Sequence, residues 1–224
     1  MSSDAPFSKE ETFIRANTAI GMPSLVPEIK LYLASEVTPL WHATEATLAQ
    51  SQLPPPYWAF AWPGGQALAR HVLDHPALIA GKHVLDIGAG SGLLAITARK
   101  AGAAHVTAAE IDAFAIAAIR LNAALNAVAI ETENRDLIGS ASRWDMILVG
   151  DMCYERPLAE RLTIWLRALA ARGATVLLGY AGRAYLPQDG LTEIARYTVP
   201  TSLDLEDRAT RETVIWQLGG TIAI

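Results

Sequence analysis

His83-Val84-Leu85-Asp86-Ile87-Gly88-Ala89-Gly90-Ser91-Gly92 opens on an apolar run and closes on glycines at every second position. The stretch from Leu93 to Lys100 follows with helical character. The order reads as a buried strand, a tight glycine turn and a helix N-terminus. Glycines in such a turn let a ligand approach backbone that carries no side chains. In open α/β sheets, nucleotide sites lie at the carboxyl ends of the strands. The spacing also discriminates between ligands. A dinucleotide fold wants G-x-G-x-x-G, whose third glycine would fall at position 93, where this chain has leucine. The glycines are Gly88, Gly90 and Gly92, with Asp86 two residues ahead of the first.

That D-x-G-x-G-x-G form resembles motif I of the seven-stranded methyltransferases that use S-adenosylmethionine. The resemblance implies a loop that wraps the methionine part of the cofactor.

The chain has 224 residues, the length of one α/β domain with an N-terminal elaboration, and is 51% hydrophobic. Its formal net charge of -5 disfavours a phosphate backbone as substrate, so no nucleic acid is expected as partner. Cys153 is the single cysteine, which excludes an internal disulfide framework and fits a reducing compartment. No apolar run approaches the length that spans a bilayer. The first six residues have neither a basic nor an apolar region of a presequence. These features together predict a cytoplasmic protein of bacterial origin.

Upstream of the glycine turn, Ser8-Lys9-Glu10-Glu11 has capping-box spacing and predicts a short helix to about Asn17. Glu28 to Ala34 alternates as a short strand, and Trp41 to Thr44 starts another segment. Residues 1–55 are expected to form an N-terminal extension packed on a methyltransferase domain over 56–224. Leu53-Pro54-Pro55-Pro56-Tyr57-Trp58-Ala59-Phe60-Ala61-Trp62-Pro63-Gly64-Gly65-Gln66 concentrates aromatics just before a helix expected from about Gln66 to Asp74. Its aromatics suit a core plug; an indole beside a nucleotide pocket also supplies a stacking face and one N–H donor. Pro63-Gly64-Gly65 would let backbone approach the cofactor.

Downstream, His105 to Glu110 predicts a second strand ending in an acid able to accept from ribose hydroxyls. Ile111 follows, and Asp112 suits the N-cap of a helix from Ala113 to Leu125. A weaker third strand spans Val128 to Glu133. Asp136 beyond it could accept from an adenine amino group, with the Leu137 N–H near a ring nitrogen; a turn that caps its own backbone is the other reading. Trp144 to Gly150 predicts a buried parallel strand that delivers Asp151 and Tyr154 to the pocket edge. A helix from Glu155 to Ala171, a strand Thr175 to Gly179, a helix of open length, and strands Ala195 to Val199 and Thr213 to Leu218 complete the order. Alternating strands and helices imply a mostly parallel sheet covered on both faces, with an antiparallel hairpin at one side. Cys153 reads as packing rather than nucleophile. His71 and His75 read as a surface helix face rather than a metal site.

Tyr57 to Leu68, the glycine loop and Gly150-Asp151-Met152-Cys153-Tyr154 together are similar to the seven-stranded protein lysine methyltransferases with a D-x-x-Y signature after strand four. Within that group the chain most resembles the electron-transfer flavoprotein β-subunit lysine methyltransferases, from about residue 25 to Gly182. The resemblance implies a Rossmann-like seven-stranded α/β sheet whose last strand is antiparallel. It implies S-adenosylmethionine as cofactor and the flavoprotein β subunit as partner; a monomer is expected. Asp151 and Tyr154 become the expected catalytic residues. The expected cofactor set is Trp58, Trp62, Gly64, Asp86, Gly88, Gly90, Gly92, Glu110, Ile111, Asp136, Leu137 and Gly150. One departure stands out: the group has Gly-Asp-Pro-Gly-Arg after strand five, and this chain has Gly179-Tyr180-Ala181-Gly182-Arg183. A small-molecule N- or O-methyltransferase and a non-catalytic S-adenosylmethionine-binding module remain the alternatives.

Overall fold

The computed structural model describes residues 7–34, 55–141, 143–182, 184–201 and 208–219. The segment from Trp41 to Thr44, Arg183 and most of the polar loop around 204–208 lie outside them.

The described chain begins with helix α1 (Lys9–Asn17). Its capping box forms as the sequence dictates: the Ser8 hydroxyl accepts the Glu11 N–H, and the Glu11 carboxylate accepts the Ser8 N–H at 2.9 Å. Strands β1 (Ala19–Gly21) and β2 (Leu31–Leu33) pair antiparallel. The expected strand is therefore shorter; Pro23 and Pro27 turn the chain before Leu31. A single 3-10 turn (Tyr57–Ala59) leads into α2 (Pro63–Asp74). This helix starts three residues earlier than expected, because proline is accepted at the first helical position. Pro63, Gly64 and Gly65 are thus a helical first turn rather than a loop.

The central unit runs β3 (His83–Ile87), α3 (Leu93–Lys100), β4 (His105–Ala109), α4 (Ala113–Leu125), β5 (Glu131–Glu133), β6 (Met146–Gly150), α5 (Arg156–Ala171), β7 (Thr175–Tyr180), β8 (Leu191–Pro200) and β9 (Thr210–Leu218). The sheet has seven strands in the order β5-β4-β3-β6-β7-β9-β8. β3 pairs in parallel with β4 and β6, β4 with β5 and β6 with β7; β9 runs antiparallel to both β7 and β8. Only the last strand opposes the rest, as the sequence implied. Among the described residues between β7 and β8 there is no helix: residues 184–190 form turns and bends, and Pro187, Asp189 and Gly190 favour that outcome.

Strand residues alternate between the two faces. Val84, Met146, Leu148 and Leu177 pack with Leu68, Val72, Leu94 and Ile96 from α2 and α3. Leu85, Ile147, Val149, Val176 and Leu178 pack with Leu162, Trp165, Leu166 and Leu169 from α5. The N-terminal segment rests on α4, where Ile14, Tyr32 and Trp58 meet Ala115, Ala118 and Leu121. Buried Asn122 fastens this junction: its side-chain oxygen accepts the Tyr32 N–H at 2.7 Å, and its amide donates to the Ser91 carbonyl at 2.8 Å. The glycine turn is thereby tied to the N-terminal hairpin. Among the described residues no helix is long and apolar enough to cross a membrane.

Candidate active site

The parallel strands β3, β4 and β6 end side by side, and a cleft of about 490 Å³ opens at their carboxyl edge. This is where the sheet order reverses direction around β3, the place where open α/β sheets bind ligands.

The turn after β3 is held by its neighbour strand. The Gly88 and Ala89 N–H groups donate to the Ala109 carbonyl at 3.0 and 3.2 Å, and the Gly92 N–H closes a turn on Ala89. Gly88, Gly90 and Gly92 all have positive φ, which only glycine adopts freely. Their surroundings differ. A Cβ on Gly88 would collide with the Met152 sulfur, whereas one on Gly92 would press on Ile119 at 3.2 Å. Gly88 and Gly90 line the cleft; Gly92 packs against α4 instead. Asp86 does not reach the cleft either. It is 1% exposed, and its carboxylate accepts the Ala95 N–H at 2.9 Å, locking α3 onto β3. Burial pushes its pKa up to about 7, opposed by that hydrogen bond and reinforced by Glu110.

Glu110 leaves β4 with both carboxylate oxygens engaged. One accepts the Gly90 N–H at 3.2 Å and the other accepts the Ile111 N–H at 2.8 Å. Burial raises its pKa above the ordinary carboxylate value, partly offset by those N–H donors. Exposed Ile111 lies beside it on the cleft wall. Asp112 caps α4 through the Phe114 N–H, as expected.

Asp136 lines the far end of the cleft and fulfils the turn reading: it accepts the Ile138 N–H at 2.9 Å and pairs with Arg161 at 2.7 Å. Burial pushes its carboxyl up, but Arg161 and the Ile138 N–H outweigh that and hold it below the usual value. Leu137 faces the other way and is buried with Trp165 and Leu166 in the core.

The exit of β6 carries the least ordinary backbone. Asp151 has φ of +52°, rare for a residue with a side chain. Its N–H donates to the Gly179 carbonyl at 3.2 Å, and one carboxylate oxygen accepts the Gly64 and Gly65 N–H groups at 2.5 and 3.2 Å. Asp151 thus caps α2, across the sheet edge, while Glu155 is the N-cap of the following helix. Gly64 is the socket for this contact and does not line the cleft: an added Cβ would lie 2.3 Å from the Gly179 oxygen and 2.5 Å from the Asp151 carboxylate. Gly150 and Asp151 do line it.

Tyr154 is 43% exposed and stands on the cleft wall, so it is not a core aromatic. Burial of its hydroxyl, with Glu155 and Tyr57 adding, raises its pKa and keeps it a neutral phenol. Trp58 lines the cleft but is 2% exposed, stacked on Phe114 with ring planes 11° apart. Trp62 also lines it, and its indole N–H donates to the Tyr57 carbonyl at 2.9 Å. Cys153 is buried, with burial raising its thiol to about 11, and behaves as packing. His71 corrects the surface reading: it is 7% exposed and hydrogen-bonded to the Tyr197 hydroxyl, because β8 covers that side of α2. Tyr57, Gly179 and Arg161 were missed from the sequence; the glycine at the end of β7 was the available signal for one of them.

A seven-stranded sheet with one reversed strand, a glycine turn after the first central strand and an acid at the tip of the next define a class I S-adenosylmethionine-dependent methyltransferase. Solved structures of that class share the fold. The ribosomal protein L11 methylase from Lactobacillus delbrueckii subsp. bulgaricus is 22% identical, with a TM-score of 0.54 over 72% of this chain and 81% of its own. Magnesium protoporphyrin IX methyltransferase from Synechocystis, solved with bound SAM, is 19% identical, with a TM-score of 0.53 over 70% of this chain and 80% of its own. Residues 68–150 match the family described as ribosomal protein L11 methyltransferase (PrmA), which covers the cofactor half of the sheet. The electron transfer flavoprotein beta subunit lysine methyltransferase of Danio rerio is 38% identical over 92% of this chain and 82% of that protein. The chain belongs to the electron transfer flavoprotein β-subunit lysine methyltransferase family, and it is a lysine methyltransferase.

Proposed function

We propose that this chain methylates lysine side chains of the electron-transfer flavoprotein β subunit, with Asp151 and Tyr154 at the transfer centre. The observation that carries the reading is the placement of Asp151. It stands at the tip of β6, on the cleft that Gly88, Gly90 and Glu110 also line. S-adenosylmethionine supplies an activated methyl group when bound.

The residues present fit that cofactor. Gly88 and Gly90 offer bare backbone to its methionine part. The Glu110 carboxylate can accept from ribose hydroxyls, and Ile111 gives an apolar face beside it. Asp136 on the cleft wall can accept from an adenine amino group, and Gly150 lines the cleft with bare backbone, its missing side chain making room for Gly65 and Leu94 behind it. Trp58 closes the wall. Asp86, Gly64, Gly92 and Leu137 act behind the wall: they hold α3, Asp151, α4 and the core in register.

Transfer to an amine is an in-line displacement, so the protein's task is chiefly to hold the nitrogen in place. A lysine ammonium has an ordinary pKa of about 10.4 and must arrive neutral. The apolar wall lowers that value, while a carboxylate raises it. Asp151 shares its charge with the α2 N-terminus, which softens the second effect and leaves it free to orient the nitrogen. Tyr154 adds a ring face and a hydroxyl. A monomer suffices for this cleft, and the acidic surface suits a basic protein segment better than nucleic acid. The buried, inert Cys153 fits a reducing, cytoplasmic compartment. A bacterial source gains no support from the relatives that match over most of the chain, which are animal proteins.

The test mixes purified enzyme, the flavoprotein and cofactor and weighs the β subunit by mass spectrometry. Stepwise methyl gains that map to lysines are expected. An unmodified β subunit, with a labelled metabolite in the same lysate, would move the chain to the small-molecule methyltransferases.

A further inference from the structure

The aromatic residues after Pro55 enter the fold at two depths. Trp58 and Phe60 are buried, whereas Tyr57 is 47% exposed and Trp62 half-buried. The Tyr57 ring centre stands 6.0 Å from Trp62 at 63° and 5.7 Å from Tyr154 at 49°. All three line the cleft with Asp151. Trp62 is also the N-cap residue of α2, whose first N–H groups hold the Asp151 carboxylate, so the ring cluster and that carboxylate meet at one helix end on the same cleft. The indole N–H of Trp62 donates to the Tyr57 carbonyl, which pins the turn that presents Tyr57.

A lysine side chain reaching Asp151 is an apolar stem with a charged tip. Its stem gains from apolar walls, and its tip is attracted to ring faces. Rings also exclude water, which favours the neutral amine that attacks. A methylated ammonium keeps its charge but loses N–H donors, so ring faces still hold it where a purely hydrogen-bonding wall would not.

We propose that Tyr57, fixed by the Trp62 indole, is a positioning residue for the acceptor lysine and forms with Tyr154 the ring-lined channel to Asp151; this rests on the lysine transfer proposed above. Trp62 then serves the acceptor side by holding Tyr57, rather than stacking on cofactor. The ring of Tyr57 carries the effect, not its hydroxyl.

The test measures S-adenosylhomocysteine binding by calorimetry and steady-state methylation of purified flavoprotein by mass spectrometry, on the full chain. Tyr57→Ala should raise KM for the flavoprotein about tenfold, with kcat falling less and product affinity within about twofold of wild type. Tyr57→Phe should restore KM. Trp62→Phe keeps a ring but deletes the N–H donor, and should raise KM with product affinity unchanged. An unchanged KM in Tyr57→Ala, beside a wild type that methylates normally, would overturn this inference alone. A wild type that binds S-adenosylhomocysteine yet leaves the flavoprotein unmodified would overturn the lysine reading and this inference with it. If Tyr57→Ala loses product binding, circular dichroism decides: a folded variant assigns Tyr57 to the cofactor and defeats the proposal. An unfolded one passes the same test to Tyr57→Leu, which keeps bulk without a ring face.

Discussion

One carboxylate oxygen of Asp151 accepts the backbone N–H of Gly64 at 2.5 Å, so the acid at the end of β6 is clamped by the first turn of a helix nearly ninety residues earlier in the chain. The clamp works only because Gly64 has no side chain. Gly64→Ala places a methyl against the Gly179 carbonyl and the Asp151 carboxylate. It should cost about 1–3 kcal/mol of stability, the range for overpacking. Methyl transfer should fall far more than S-adenosylhomocysteine affinity, because the displaced group is Asp151. Gly65→Ala has nothing within 4 Å of the added atom and serves as the control. Thermal unfolding, calorimetry and transfer assays on the pair check this.

Glu110 has a structural job besides the ribose contact proposed for it. It accepts the Gly90 N–H, so it shapes the turn that approaches the cofactor. Glu110→Ala should weaken S-adenosylhomocysteine binding by about 1.5–3 kcal/mol, the scale of hydrogen bonds to a charged group. Burial raises the Glu110 pKa, so the ionised acceptor is lost as pH falls, beginning at a higher pH than for an ordinary carboxylate. Affinity should decline along with it. Glu110→Gln should flatten that pH dependence; an unchanged slope in calorimetry would remove Glu110 from the site.

Much of this arrangement was legible in the sequence because it is local. The glycine turn, the Ser8 box, the Asp112 cap and the succession of strands along the chain follow from spacing over a few residues. What was not legible depends on contacts between distant segments. Gly64 looked like backbone offered to a ligand, yet it is a socket for Asp151, since α2 begins at Pro63 and crosses the tip of β7. Asp86 looked like a cofactor contact, yet it secures the Ala95 N–H behind the turn. Leu137 follows an acid at the cleft but points into the core. The helix expected before β8 is absent because the turn residues there outweigh weak periodicity. Tyr57 could not be told from its buried neighbours, because depth within an aromatic run is set by the tertiary fold.

Asp86 gives a stability prediction with a definite sign. Its folded pKa is raised from 3.8 to about 7 by burial. The folded state therefore binds more protons than the unfolded state between those values, and this residue's contribution favours folding at low pH. That contribution declines as pH rises through the window, at up to roughly 1.4 kcal/mol per pH unit, and is flat above it. Asp86→Asn keeps an acceptor for the Ala95 N–H and cannot ionise. The difference in unfolding free energy between wild type and Asp86→Asn should thus shift in favour of the variant from pH 4 to pH 7. Urea unfolding across that range would refute the assignment if the difference stayed constant.

The final prediction separates the capping of α2 by Asp151 from its proposed role in placing the acceptor nitrogen. Asp151→Ala removes both. It should cost about 0.5–2 kcal/mol of stability through the lost cap and cut transfer by about a hundredfold or more through lost positioning. Asp151→Asn separates them. Its side-chain oxygen can still accept the Gly64 and Gly65 N–H groups, and asparagine tolerates the positive φ at this position. Stability and S-adenosylhomocysteine affinity should therefore stay close to wild type. Transfer should still fall, because the neutral amide cannot orient an ammonium or a developing charge on nitrogen as a carboxylate does. Tyr154→Phe should lose less than Tyr154→Ala, since the ring is exposed on the cleft wall and packed beside Tyr57. The decisive measurement is kcat for Asp151→Asn with folding and product binding verified on the same sample. Wild-type turnover there would mean that Asp151 serves the fold alone and that another group places the lysine.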